Sequence, residues 1–141
     1  MDHTPPDDYQ LDIQVGFLLR RANQRHLAIF AAQLPGLTPT QFAALAKLCE
    51  LGPISQNALG RATSMDAATI KGVVDRLRHK GLVAALPDAA DRRRLVLAPT
   101  PEGKAAYARA RPSAHRITSE TLAPLTEDEA ETFLALLTRL G

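Results

Sequence analysis

Tryptophan is absent from this chain of 141 residues, and aromatic residues together make up 4% of it. A core with so few rings must rest on close packing of smaller side chains, and the abundance of alanine and leucine suits packed helices. The single cysteine, Cys49, excludes an internal disulfide and argues for a reducing, cytoplasmic setting. No apolar run approaches the length of a membrane span. The opening stretch M-D-H-T-P-P-D-D-Y is acidic and polar, unlike a secretory signal. Signatures of catalysis are missing too. The histidines His3, His26, His79 and His115 are scattered without metal-ligand spacing, and there is no nucleophile elbow, phosphate loop or dinucleotide fingerprint. The expectation is therefore a non-enzyme with no metal and no cofactor.

A net charge of +2 conceals a pattern. Residues 1–12 hold four acids and no Lys or Arg, and residues 120–141 hold five acids and one Arg. Residues 13–119 carry sixteen Lys or Arg against six acids, a formal +10. Cations gathered in the middle of a chain are the footprint of a nucleic-acid face, although an ordinary mixed surface is the alternative.

Punctuation residues divide the chain. Pro5 and Pro6 mark residues 1–8 as a loose arm. A long helix is predicted from about Tyr9 to Leu34, with Leu11, Val15, Leu18, Ala22 and Ile29 on one stripe and Phe17, Leu27, Phe30 and Leu34 on other faces. Apolar surface on more than one side of a helix, in so small a chain, calls for a second subunit. Pro35-Gly36 breaks the helix, and Thr38-Pro39-Thr40-Gln41 starts the next with a capping box. Gly52-Pro53 ends that one. Ser55 caps a short third helix to about Ala62, and Asp66 caps a fourth that Gly81 closes in a left-handed turn. The pair, joined by Thr63-Ser64-Met65, has helix-turn-helix spacing.

On the fourth helix Ile70, Val73, Val74 and Leu77 share the buried face. The opposite face carries Ala68, Thr69, Lys71, Gly72, Asp75 and Arg76, small residues and cations that would suit a groove of DNA, or simply solvent. Two short β-like runs follow, residues 82–86 and 95–98, with P-D-A-A-D-R-R-R between them. Two strands and a basic tip make a wing, whose Arg92, Arg93 or Arg94 could enter a minor groove, with Asp91 pairing one of them. Thr100-Pro101-Glu102 opens a fifth helix, in which Pro112 is expected to kink or break the path. Thr126-Glu127-Asp128-Glu129 caps a last helix bearing Phe133, Leu134, Leu136, Leu137 and Leu140. The fold class is thus mainly α with a small β wing. An N-terminal arm and dimerisation helix (1–36) and C-terminal dimerisation helices (100–141) flank a winged helix-turn-helix lobe (37–99), in one intertwined domain.

G-L-V at Gly81 to Val83, D-x-R at Asp91 to Arg93, T-x-x-G at Thr100 to Gly103, and L-T-P-T-Q-F-A-A-L from Leu37 resemble the MarR (multiple-antibiotic-resistance regulator) family over essentially the whole chain. The resemblance implies a homodimeric repressor of a pseudo-palindromic double-stranded DNA operator, released by a small aromatic acid or by thiol oxidation. Three departures stand out. Ala84 and Ala85 lie where a basic residue is frequent, and Pro99 where Leu is usual. Val15-Gly16-Phe17 lies where the family's peroxide sensors carry a cysteine. The candidate DNA contacts are Ser55, Gln56, Ser64, Asp66, Ala68, Thr69, Lys71, Gly72, Arg76, Arg92, Arg93 and Arg94.

The run R-R-A-N-Q-R-H, Arg20 to His26, is unusual for a dimerising helix, though each residue alone could face solvent. It is similar to regulators of aromatic and N-heteroaromatic acid breakdown, nicotinate-type included. A carboxylate needs a cation and donors inside an apolar site. Arg20, Asn23, Arg25, His26 and Gln41 are the candidate ligand residues, in the region between the first, second and fifth helices where the resemblance places a pocket. His26 could equally be packing at a dimer junction. Cys49 has no cation among Leu48, Glu50 and Leu51, so it is read as a small buried hydrophobe rather than a redox switch. A winged helix used for protein contacts alone is the remaining alternative.

Overall fold

The computed structural model describes residues 8–141, so nearly all of the N-terminal arm, with Pro5 and Pro6, lies outside the described residues. Its order is a 3-10 turn (Leu11–Ile13), α1 (Val15–Gln33), α2 (Pro39–Leu51), α3 (Gln56–Ala62), α4 (Ala67–His79), β1 (Val83–Pro87), β2 (Leu95–Pro99), α5 (Pro101–Leu122) and α6 (Glu127–Leu140). The elements group into a central unit, residues 34–115, and an end-helix unit formed by residues up to 33 together with 116–141. Among the described residues no helix is long and apolar enough to cross a membrane.

The core of the central unit is aliphatic. Ala44, Leu45 and Leu48 of α2 meet Leu59 of α3, Ile70, Val73, Val74 and Leu77 of α4, Val83 of β1 and Leu97 of β2. These residues recur at three- and four-residue intervals on their helices, so each helix buries one face. Strands β1 and β2 pair antiparallel, with Val83 opposite Pro99 and Pro87 opposite Leu95. An isolated bridge joins Ile54 to Leu97, which attaches the wing to the segment before α3.

The caps fall where the sequence puts them. Thr38 and Gln41 form a reciprocal capping box on α2, and Thr126 and Glu129 form one on α6. Ser55 accepts from the Ala58 N–H, and Asp66 accepts from the Thr69 N–H. Gly36, Gly52 and Gly81 adopt positive φ just beyond α1, α2 and α4.

Two elements differ from the sequence reading. The first helix does not run from Tyr9. It begins at Val15, after a 3-10 turn and an extended Gln14 with ψ of 141°. The apolar spacing of Leu11 and Val15 records side chains, whereas the break lies in the backbone of Gln14. Of the kink or break expected at Pro112, the break does not occur, since α5 is helical from Pro101 to Leu122. Proline removes one intrahelical donor, and here the helix continues on both sides of the gap.

In the end-helix unit, α1 is tied to the last turn of α5. The Arg25 guanidinium donates to the carbonyls of Glu120 (2.7 Å) and Thr121 (2.8 Å). Carbonyls in the last turn of a helix run short of intrahelical donors (that of Glu120 takes only the Ala123 N–H, at 3.3 Å, from the backbone beyond the helix), and a cation at a helix C-terminus also suits the helix dipole. Gln33 donates to the Glu120 carboxylate, and Arg116 Nε donates to Gln33 Oε1 at 3.2 Å.

Candidate nucleic-acid interface and effector hollow

The helix-turn-helix is drawn tight by a glycine. A Cβ on Gly60 would sit 3.1 Å from the Met65 carbonyl and 3.3 Å from Ile70 Cγ2, so α3 approaches the start of α4 closely. The intervening turn holds Ser64 at φ of 57°, a left-handed conformation that is uncommon outside glycine. Ser64, Asp66, Ala68, Thr69, Lys71 and Arg76 are exposed, while Ser55, Gln56 and Gly72 are half-buried. Asp66 accepts from the Thr69 N–H at 2.7 Å, and the bonds from Thr69 hold its carboxyl below the usual carboxylate range. Lys71 is paired with Asp75 at 2.8 Å, and that bond lowers the Asp75 carboxyl in the same way. The Arg76 guanidinium lies over Gly72, where a Cβ would be 3.5 Å from Nη1. Arg76, Arg78 and His79 fill the last turn, so some of this charge also serves the helix end.

The wing tip is an ordered turn. Asp88 N–H donates to the Arg94 carbonyl and Arg94 N–H to the Asp91 carbonyl, both at 2.9 Å. The Asp91 carboxylate accepts from Arg93 twice, from its N–H at 3.1 Å and from Nε at 3.2 Å. Arg92, Arg93 and Arg94 are all exposed. The central unit thus presents a small-residue helix face and a cation-rich tip, groups suited to base edges and to phosphates respectively.

The ligand candidates separate. Arg20, Asn23, Arg25 and His26 lie on α1 in the end-helix unit, and Gln41 lies on α2 in the central one. Arg20 stacks over the Phe17 ring at 5.5 Å, and Arg25 is engaged by α5. Asn23 and His26 border a hollow of about 300 Å³ whose remaining walls are Leu19, Ala22, Thr118, Thr121, Leu122, Phe133, Leu134 and Leu137. His26 Nδ1 is 2.9 Å from Thr121 Oγ1, and its ring meets Phe30 edge-on at 6.5 Å. The hollow is therefore built from α1, α5 and α6, with no residue of α2. Thr118 and Thr121, one turn apart on α5, escaped the sequence reading because nothing local marks them. Gln41 Oε1 accepts from the Thr38 N–H (3.4 Å) and from Lys80 Nζ (2.9 Å).

Cys49 has cations that its sequence neighbours hide. Lys104 and Arg111, both of α5, act on it electrostatically, yet burial outweighs them and pushes the thiol up. No cluster of metal-ligating side chains occurs among the described residues.

The sequence pattern of the MarR family matches residues 37–95. The HTH-type transcriptional repressor NicR of Pseudomonas putida is 41% identical over 142 residues, 99% of this chain and 88% of that protein. The crystal structure of a probable transcriptional regulator from Pseudomonas aeruginosa matches with a TM-score of 0.91 and 51% identity, over 94% of this chain and 100% of that one. The structure of Bordetella bronchiseptica BpsR, whose DNA binding is regulated by 6-hydroxynicotinic acid, matches with a TM-score of 0.89 and 40% identity, over 94% and 96% of the two chains.

Proposed function

Since this chain belongs to the MarR family of winged-helix transcription regulators, we propose that it is a cytoplasmic, homodimeric repressor released from its operator by a small aromatic or heteroaromatic carboxylate. The observation that carries the effector reading is the hollow beside His26. Its volume of about 300 Å³ suits one substituted ring, its walls are largely apolar, and Asn23, His26, Thr118 and Thr121 supply a few polar groups. That is the composition a planar acid requires, with apolar faces for the ring and donors for its oxygens. Arg20, three residues before Asn23 on α1, stands outside the walls of the hollow, over the Phe17 ring, and is the cation this reading assigns to the carboxylate. Arg25 and Gln41 are committed elsewhere, to α5 and to Lys80, and are left out of this set. The chemistry named for BpsR makes a hydroxylated pyridine carboxylate the first ligand to try.

Dimerisation is supported by apolar surface on the same unit. Ile13, Val15, Leu18 and Leu19 border a second hollow together with Phe133, Leu136, Leu137 and Leu140. Each of these eight is at least 38% exposed in the single chain. A patch of that character marks an interface. Release by oxidation of Cys49 is the less supported reading, because its raised pKa keeps the thiol protonated and poorly nucleophilic.

Ligand releases DNA if it binds the DNA-incompetent arrangement more tightly, and DNA must then weaken ligand binding by the same factor. The test uses the duplex that the protein selects from a random-sequence pool, titrated with 6-hydroxynicotinate and read by fluorescence anisotropy. Release with a coupling of about 5–150-fold is expected. His26→Ala should bind the duplex normally and lose the response. Release of this variant at the wild-type ligand concentration would make His26 a packing residue. An oxidant that releases DNA where carboxylates fail would transfer the switch to Cys49.

A further inference from the structure

We propose that Lys80 is a positioning residue for DNA recognition, locking the exit of the recognition helix to the turn that opens α2. Lys80 is the C-cap of α4. A lysine there would ordinarily reach for the last carbonyls of its own helix or for a phosphate. Its side chain does neither. Nζ donates to the carbonyl of Gly36 at 2.6 Å and to Gln41 Oε1 at 2.9 Å, groups 44 and 39 residues earlier in the chain. Gly36 lies in the turn between α1 and α2, at φ of 103°. Gln41, at 5% exposure, is the one buried polar side chain among the described residues. Its Oε1 also takes the N–H of Thr38, the N-cap of α2. One ammonium group thus gathers the turn, the N-cap and the first turn of α2 onto the end of α4.

The remaining contact between α2 and α4 is aliphatic, through Leu45, Leu48, Ile70, Val74 and Leu77. Such burial is strong but non-directional, and it sets the distance between two helices better than their register. Charge-assisted hydrogen bonds supply the direction. Helix α4 carries Thr69 and Arg76 on its exposed face, so its register decides where those side chains meet a groove. The sequence marks Lys80 as one more cation in a basic stretch. Its partners are brought to it by the fold alone.

The experiment compares Lys80→Met, Gln41→Met and the double variant on two duplexes, the one selected by wild-type protein and a scrambled one of equal length. Affinities are measured across a range of salt, beside thermal melts. Each single variant is expected to lose about tenfold on the selected duplex, the scale of one charge-assisted bond. Loss on the scrambled duplex should be much smaller, with an unchanged salt slope. The double variant should lose clearly less than the two single losses multiplied together, since both variants remove the Lys80–Gln41 bond, while Lys80→Met alone also frees the Gly36 carbonyl and Gln41→Met alone also frees the Thr38 N–H. Equal losses on both duplexes after Lys80→Met, with a salt slope reduced by about one and no effect of Gln41→Met, would make Lys80 a phosphate contact and overturn the proposal. A lower melting temperature with both affinities unchanged would reduce the link to ordinary structural support and overturn it as well.

Discussion

Thr100 and Gly103 explain why two separated motifs behave as one joint. The Thr100 hydroxyl donates to the Gly81 carbonyl at 2.6 Å and accepts from the Gly103 N–H at 3.0 Å. The Thr100 N–H donates to the Leu82 carbonyl at 3.0 Å. A Cβ on Gly103 would lie 2.0 Å from the Leu82 oxygen, so the start of α5 touches backbone directly. Gly103→Ala should therefore destabilise the protein by about 3 kcal/mol, the upper end for overpacking, because a main-chain atom cannot rotate away. Urea denaturation measures this, and an unchanged midpoint would mean that α5 shifts freely. At this scale the sequence is legible where partners are near. Thr38, Ser55, Asp66 and Thr126 each accept from a backbone N–H three residues on, and spacing alone announces them. Lys80, Lys104 and Arg111 act on groups far away in the chain, and no local pattern encodes those meetings.

In the proposed interface, helix α4 and the wing would divide the work of binding between them. Thr69, in the first turn of α4, is exposed and small enough to approach base edges. Arg93 sits on a tip that Asp91 and the turn bonds keep in shape. Arg93→Ala should weaken binding to the selected and the scrambled duplex alike and lower the salt slope. Thr69→Ala should cost about 1–3 kcal/mol on the selected duplex and much less on the scrambled one. Anisotropy titrations at several salt concentrations read both effects. Equal losses on the two duplexes after Thr69→Ala would remove it from the base-reading set. The helices of the winged helix-turn-helix are legible in the sequence because α2, α3 and α4 each open on a side-chain cap and α2 and α4 close on a positive-φ glycine. The start of α1 lacks such chemistry, because no side chain announces the extended backbone of Gln14, and at Pro112 the sequence does not say that α5 continues through the proline.

At the scale of the molecule, the apolar ends of the chain demand a partner. Leu136 on α6 is 49% exposed and borders the hollow shared with α1. Leu136→Glu should yield a monomer by light scattering, with binding to the selected duplex lost, because burying an unpaired carboxylate at an interface is costly. A variant that remains dimeric would place the interface elsewhere. In the proposed homodimer, two-fold symmetry would set half-sites about 10 bp apart, to be seen by footprinting. The excess of apolar residues at both ends was legible from composition. The ties between those ends, Arg25 to the last carbonyls of α5 and His26 to Thr121, were not, because each joins residues about a hundred positions apart. The packing of Tyr107 has an optical meaning as well. Its ring lies 5.9 Å from Phe42 and beneath Arg111 at 5.5 Å, while Tyr9, the other tyrosine, is 67% exposed. With no tryptophan to absorb or drain its excitation, Tyr107 is a native fluorophore placed inside the DNA-binding unit. Its emission can report on the joint between α2 and α5 without any dye attached to the protein.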